Sequence, residues 1–344
     1  MTCRIAINGY GRIGQSILRA AYERKSKDAS NNAFNIVAIN ELSDIETISY
    51  LTRFDTTHGR FPLNVEVASP SQLKVSDDFI SVYRNESLAD LPWAKEKIDL
   101  VMECTGAFNT REEVAYHLQA GSSRVLLSQP ADMHVDKTVV YGVNHTSLTF
   151  KDQVVSNASC TSNAIVPIIK ILDSAFGIVH GTLNTIHSAM NDQPTIDAYH
   201  HRDLRRTRSA MNNLVPVETA LAKGIERLLP NMKNKLTATA IRVPTINVSA
   251  IDLCVTVERS TTVEDVNLLL KESAALDGFG ILAYTEEPVA SSDFNHDTHS
   301  SIVDGSQTRV SGGKLIKVFT WFDNEWAFAN RMIDVAEYWL ALKA

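Results

Sequence analysis

The stretch from Arg4 to Glu41 limits what this chain can fold into more than any other. Arg4-Ile5-Ala6-Ile7-Asn8 reads as a short strand, and Ile13, Ile17, Leu18 and Ala21 mark one face of a following helix. Between them lies Gly9-Tyr10-Gly11-Arg12-Ile13-Gly14, the G-x-G-x-x-G spacing of a dinucleotide-binding turn. Glycines there permit the tight turn and let the backbone approach a pyrophosphate, whose charge the helix N-terminus stabilises. Arg12 would add positive charge near the phosphates. A polar break from Ser26 to Ala33 leads to a second strand, Ile36-Val37-Ala38-Ile39, which ends at Asn40-Glu41. An acid in that place accepts hydrogen bonds from the adenosine ribose and repels a 2′-phosphate, so Glu41 favours NAD over NADP.

More β/α units follow, with strands expected at 98–102, 125–127 and 139–143 and a helix near 111–120. Thr105-Gly106 and Ser128 come just after strand C-termini, where open parallel sheets bind ligands, although ordinary loop residues stand there equally well. The expected fold class is α/β, a doubly wound parallel sheet over residues 1–159. Beyond Cys160 the strands become longer and alternate, as in Ile251, Leu253, Val255 and Val257 with Asp252, Thr256 and Glu258 interposed. That pattern points to an antiparallel sheet with one covered face, and so to an α+β second domain over 160–322. A closing helix within 323–344, apolar at Phe328, Met332, Val335 and Leu340, is expected to dock back on the first domain.

The stretch Ser156-Asn157-Ala158-Ser159-Cys160-Thr161-Ser162-Asn163-Ala164 sets one cysteine among small and polar residues. Ile165, Ile168, Ile169 and Leu172 follow at helical spacing, which places Cys160 at or near a helix N-terminus. There the dipole and unpaired N–H groups favour a thiolate, the form that attacks carbonyl carbon. Pro167 would bend such a helix. A free cysteine more often packs as a small hydrophobe, but no apolar pattern precedes this one.

The formal net charge of -7 argues against wholesale binding to nucleic acid or an anionic membrane. Arg202, Arg205, Arg206 and Arg208 form the one notable basic cluster and the sole support for an RNA-binding or regulatory role. The four cysteines, Cys3, Cys104, Cys160 and Cys254, show no C-x-x-C spacing, and no apolar run approaches a membrane span. A reducing cytoplasm is the expected setting, without a leader or a membrane anchor.

The Asn8 to Gly14 fingerprint, Asp55-Thr56-Thr57-His58-Gly59, the Cys160 stretch, Arg242-Val243-Pro244-Thr245 and Trp321-Phe322-Asp323-Asn324-Glu325-Trp326 together resemble the glyceraldehyde-3-phosphate dehydrogenase family. The resemblance implies a Rossmann domain completed by the C-terminal helix, a catalytic domain with an antiparallel sheet, a homotetramer and NAD as cofactor. It makes Cys160 the nucleophile and His187 its base, and it implies a hemithioacetal oxidised to a thioester. The Cys160 N–H and the His187 side chain would serve the oxyanion. It places Gly9, Gly11, Arg12, Ile13, Gly14, Glu41, Thr105, Ser128 and Asn324 at the cofactor, with Asn324 on the nicotinamide carboxamide. Ser159, Thr161, Arg206, Thr219, Ala220 and Arg242 match positions that contact substrate or inorganic phosphate.

After the catalytic histidine this chain reads Ser188-Ala189-Met190-Asn191-Asp192-Gln193, so that Met190 and Asp192 replace phosphate-binding threonines of the family. An acidic side chain repels phosphate. With Ile196-Asp197-Ala198-Tyr199-His200, Asp203-Leu204-Arg205-Arg206-Thr207-Arg208 and Asp293-Phe294-Asn295-His296-Asp297, the segment resembles the erythrose-4-phosphate dehydrogenase branch. That branch oxidises D-erythrose 4-phosphate to 4-phosphoerythronate, for pyridoxal 5′-phosphate synthesis, and releases the thioester chiefly with water. The phosphorylating glyceraldehyde enzyme is the nearest alternative.

Overall fold

The computed structural model of the chain describes residues 2–27, 33–199 and 203–343. Most of the polar break after the first helix, and His200 and Arg202 of the sequence motifs, lie outside the described residues. The chain forms two compact units: Met1–Ser159 together with Phe328–Ala344, and Cys160–Ala327.

The first unit is built on a nine-stranded sheet. Its strands are β1 (Cys3–Asn8), β2 (Phe34–Asn40), β3 (Val65–Ser69), β4 (Gln72–Val75), β5 (Asp78–Tyr83), β6 (Leu100–Glu103), β7 (Val125–Leu127), β8 (Lys137–Thr138) and β9 (Val154–Ser156), in the order β8-β9-β7-β6-β1-β2-β5-β4-β3. Pairing is parallel from β8 through β5, while β4 and β3 add antiparallel at one edge. The central strands are buried on both faces, which suits runs such as Ile5-Ala6-Ile7 and Leu100-Val101-Met102. Helix α1 (Arg12–Lys27) follows β1, and α2 (Arg111–Gln119) follows β6 behind a capping box of Thr110 and Glu113. The strand expected at 139–143 is instead a turn. Gly142 has φ of +77°, and the Asn144 side chain accepts from the Val140 N–H at 2.7 Å, which diverts that backbone from a ladder.

The second unit carries an eight-stranded sheet. Strands β10 (Ile178–Ser188), β11 (Val215–Val217), β12 (Leu236–Val243), β13 (Ser249–Val257), β14 (Leu282–Thr285), β15 (Ser301–Asp304), β16 (Arg309–Ser311) and β17 (Leu315–Phe322) run in the order β11-β12-β10-β13-β17-β15-β14, with β16 paired to β17. The sheet is mainly antiparallel, as expected, but β10 with β12 and β14 with β15 are parallel, because the chain between each pair crosses over before returning. Helix α3 (Cys160–Phe176) continues through Pro167, and α4 (Leu221–Leu228) lies so that Gly224 faces Ser162 on the first turn of α3.

Helix α5 (Trp326–Ala341) closes the chain. From Phe328 onward it belongs to the first unit, where Arg24 on α1 donates to Asn330 at 2.9 Å and to Asp334 at 2.6 Å. Trp339, fully buried, donates its indole N–H to the Thr149 carbonyl. Residues 323–327, expected with the first domain, cluster with the second. Asp323 accepts the N–H groups of His296, Glu325 and Trp326, and Trp326 stacks on His296. No helix among the described residues is long and apolar enough to cross a membrane.

Candidate active site

Cys160 is the first residue of α3, so its backbone N–H has no acceptor within the helix and points out of the N-terminus. Strand β10 brings His187 to it, with His187 Nε2 3.7 Å from Cys160 Sγ. His187 Nδ1 is 2.9 Å from the Ser188 carbonyl, an acceptor only, so Nδ1 carries the proton and Nε2 presents a lone pair to the sulfur. Arg242 is paired in register with His187 on β12, and its Nη1 donates to the same Ser188 carbonyl while standing 3.2 Å from Nδ1.

The electrostatics differ from the thiolate expected at a helix N-terminus. Burial pushes the Cys160 thiol up, while hydrogen bonding from Thr161 and the charge of Arg242 pull the other way. The residue itself is only partly covered. His187 is 7% exposed, and burial, then Arg242, lower it to about 4. The resting pair is a thiol beside a neutral imidazole, and at neutral pH the base is unprotonated. Desolvation of the sulfur outweighs the helix terminus because the attracting groups are dipoles and one more distant cation.

Around this pair, Thr161 Oγ1 is 3.8 Å from the sulfur, and Ser159 directly precedes it in the chain. Thr219 accepts the Leu221 N–H, and Ala220 stands at the N-cap position of α4 without a side-chain cap bond. Arg206 is already engaged: its Nη1 donates to Asp192 at 2.8 Å, and its Nε is 3.5 Å from Asp203. Arg208 pairs with Asp197, so the described part of the basic cluster is largely neutralised by carboxylates.

Asn324 is 7% exposed. Its Oδ1 accepts from Ser188 Oγ at 3.0 Å and from Ser249 Oγ at 2.8 Å, which leaves its NH₂ as the group to offer a ligand. Sequence reasoning did not single out these two serines as supports. Their signal was weak, a single hydroxyl on each of two buried strand ends. Val248, just before Ser249, has φ of +62°, a costly conformation for a β-branched residue.

In the first unit the glycines fit a dinucleotide. Gly9 has φ of +87°, and a Cβ on it would come within 2.6 Å of Thr105 N; one on Gly14 would lie 2.3 Å from Gly9 O. A Cβ on Gly11 meets no protein atom within 4 Å, the open side a pyrophosphate needs. Ile13 is part-buried on the first turn of α1. Glu41 takes the Tyr10 N–H on Oε2 and the Leu42 N–H on Oε1, both at 2.8 Å, which aims its charge at the end of β2. Arg12 does not stand as a free charge for phosphate, because its guanidinium is clamped by both oxygens of Asp55. Thr105 is pinned by Glu103, and the Ser128 hydroxyl engages the half-buried Cys104 thiol. Gly11→Ala should therefore leave the melting temperature within about 1 °C and weaken NAD binding at least tenfold, read by titration calorimetry. Equal binding would place the pyrophosphate elsewhere.

A family model described as the glyceraldehyde 3-phosphate dehydrogenase NAD binding domain matches residues 3–111. One described as the C-terminal domain of the same enzyme matches residues 159–324. With both parts matched over most of its length, the chain belongs to the glyceraldehyde-3-phosphate dehydrogenase family and is an NAD-dependent dehydrogenase.

Proposed function

We propose that the protein oxidises D-erythrose 4-phosphate to 4-phosphoerythronate with NAD, and that water releases the acyl group from Cys160. The Cys160 proton passes to His187 Nε2 as sulfur attacks the aldehyde carbon, and it returns to the alkoxide to give the hemithioacetal. His187 then takes the hydroxyl proton as the C–H electron pair departs as hydride, leaving a thioester on sulfur. NAD, when bound, supplies the hydride acceptor. Water adds to the thioester, the C–S bond breaks and the thiol is regenerated, so one aldehyde, one NAD and one water give one carboxylate, one NADH and two protons. The Cys160 N–H and His187 supply donors to the oxygen in both tetrahedral stages. Asn324 would hold the nicotinamide carboxamide with its NH₂.

The observation that carries the choice of substrate is the Asp192–Arg206 ion pair. A phosphate seeking Arg206 must displace an internal carboxylate. The charge of Asp192 also acts on Arg242 and His187, so an added dianion meets repulsion at the acyl group. Poorly held phosphate loses the proximity that lets it outcompete water. Ser159, Thr161, Thr219, the Ala220 backbone and Arg242 remain for the sugar phosphate. The reading includes a cytoplasmic homotetramer, which light scattering checks directly.

The test measures NADH from erythrose 4-phosphate and glyceraldehyde 3-phosphate, with and without inorganic phosphate. The expected result is higher kcat/KM on the four-carbon sugar and less than a twofold response to phosphate. Asp192→Thr should raise the phosphate response at least tenfold. A strict phosphate requirement in the parent protein would make it the phosphorylating glyceraldehyde enzyme.

A further inference from the structure

The first unit contains a second cluster of titratable side chains, fully buried, that the chemistry at Cys160 does not use. Glu103, the last residue of β6, and His117 on α2 are both 0% exposed. Each oxygen of Glu103 accepts two hydrogen bonds. Oε2 takes Asn8 Nδ2 at 2.6 Å and His117 Nε2 at 3.0 Å, while Oε1 takes the N–H and the hydroxyl of Thr105. The four acceptor sites of a carboxylate are thus filled, and it has no acceptor for a proton of its own.

The direction of every bond is fixed by chemistry. The Trp93 indole N–H, which can only donate, reaches His117 Nδ1 at 2.9 Å. His117 is therefore the neutral tautomer with its proton on Nε2, directed at Glu103. From the other side, the Asn85 N–H donates to Asn40 Oδ1, Asn40 Nδ2 to Asn8 Oδ1, and Asn8 Nδ2 to Glu103. Two chains of donors converge on one buried anion, an arrangement in which the bonds polarise one another and none can reverse alone.

The members of this network stand at the C-terminal ends of three adjacent parallel strands: Asn8 on β1, Asn40 on β2 and Glu103 on β6. The next residues are the dinucleotide-site ones, Gly9 after Asn8, Glu41 after Asn40, and Thr105 two places beyond Glu103. Gly9 is packed so closely on Thr105 that no side chain fits between them. We propose that Glu103 is a positioning residue for NAD. Its anion, oriented through His117, sets the spacing of the glycine turn, the ribose acid and the Thr105 wall. It touches no reacting atom, so its effect falls on cofactor binding and not on the chemistry at Cys160.

Glu103→Gln puts an NH₂ against groups that are themselves donors. It should weaken NAD binding about tenfold or more by titration calorimetry and raise KM for NAD in parallel, with kcat at saturating NAD within threefold. The rate at which iodoacetamide alkylates Cys160 without NAD should stay within twofold. His117→Leu should weaken NAD similarly, and His117→Gln, which keeps an N–H in reach of Glu103, should recover most of the affinity. If Glu103→Gln does not fold, His117→Leu with its glutamine counterpart carries the test. Variants that lose thermal stability yet bind NAD within twofold of the parent would overturn the proposal and leave the network a fold element only.

Discussion

Cys160→Ala is expected to abolish NADH formation from any aldehyde while leaving NAD binding unchanged. In the proposed mechanism the bond to substrate is formed by this sulfur. Without it the aldehyde has no route to a tetrahedral adduct whose hydrogen can depart as hydride, and loss of such a nucleophile costs on the order of 10⁴ or more in kcat. The cofactor's glycine turn and Glu41 lie in the other unit, so calorimetry should return the parent affinity for NAD. Cys3, Cys104 and Cys254 do not compensate, since burial pushes each of these thiols up and none has an imidazole at hydrogen-bonding distance among the described contacts. Residual turnover above about one part in a thousand would mean that another group attacks the aldehyde.

What the sequence disclosed, and what it hid, follows from the range of the forces involved. The strand, glycine turn, helix and second strand of residues 3–40 depend on local periodicity, and each formed within a few residues of its expected place. Apolar content alone misled at 139–143, where one left-handed glycine and one asparagine side chain overrode the pattern. The strands β3 to β5 escaped notice because their alternation is short and interrupted by turn residues. At the site, local residue types pointed to Cys160 and only the family resemblance to His187, because no spacing of 27 residues encodes a distance of 3.7 Å. The protonation state was hidden as well. A helix terminus is visible in a sequence and desolvation is not, and here desolvation prevails for both members of the pair. Arg12 and Arg206 show the same limit, since each was legible as a charge, but not that Asp55 and Asp192 hold them.

His187→Asn separates two consequences of burying one imidazole. Asparagine cannot accept the thiol proton, so kcat should fall by roughly 10² to 10⁴, the usual range for a positioned general base. The second consequence is stability. In the unfolded chain a histidine takes a proton near pH 6.5, whereas His187 in the fold does so only near 4, with burial the main cause and Arg242 the next. Between those values the unfolded state binds more protons, so stability rises with pH. It is fully present above about 6.5 and declines as the pH falls toward about 4, by about 3 kcal/mol in all and about 2 kcal/mol between pH 7 and 5. The variant lacks this titration. Comparing urea midpoints of the two proteins at pH 7 and 5 should show the parent losing more ground in acid, by an amount the asparagine protein is spared. Parallel losses would mean that the imidazole is protonated in the native site, and His187 would then meet the aldehyde as a proton donor from the outset.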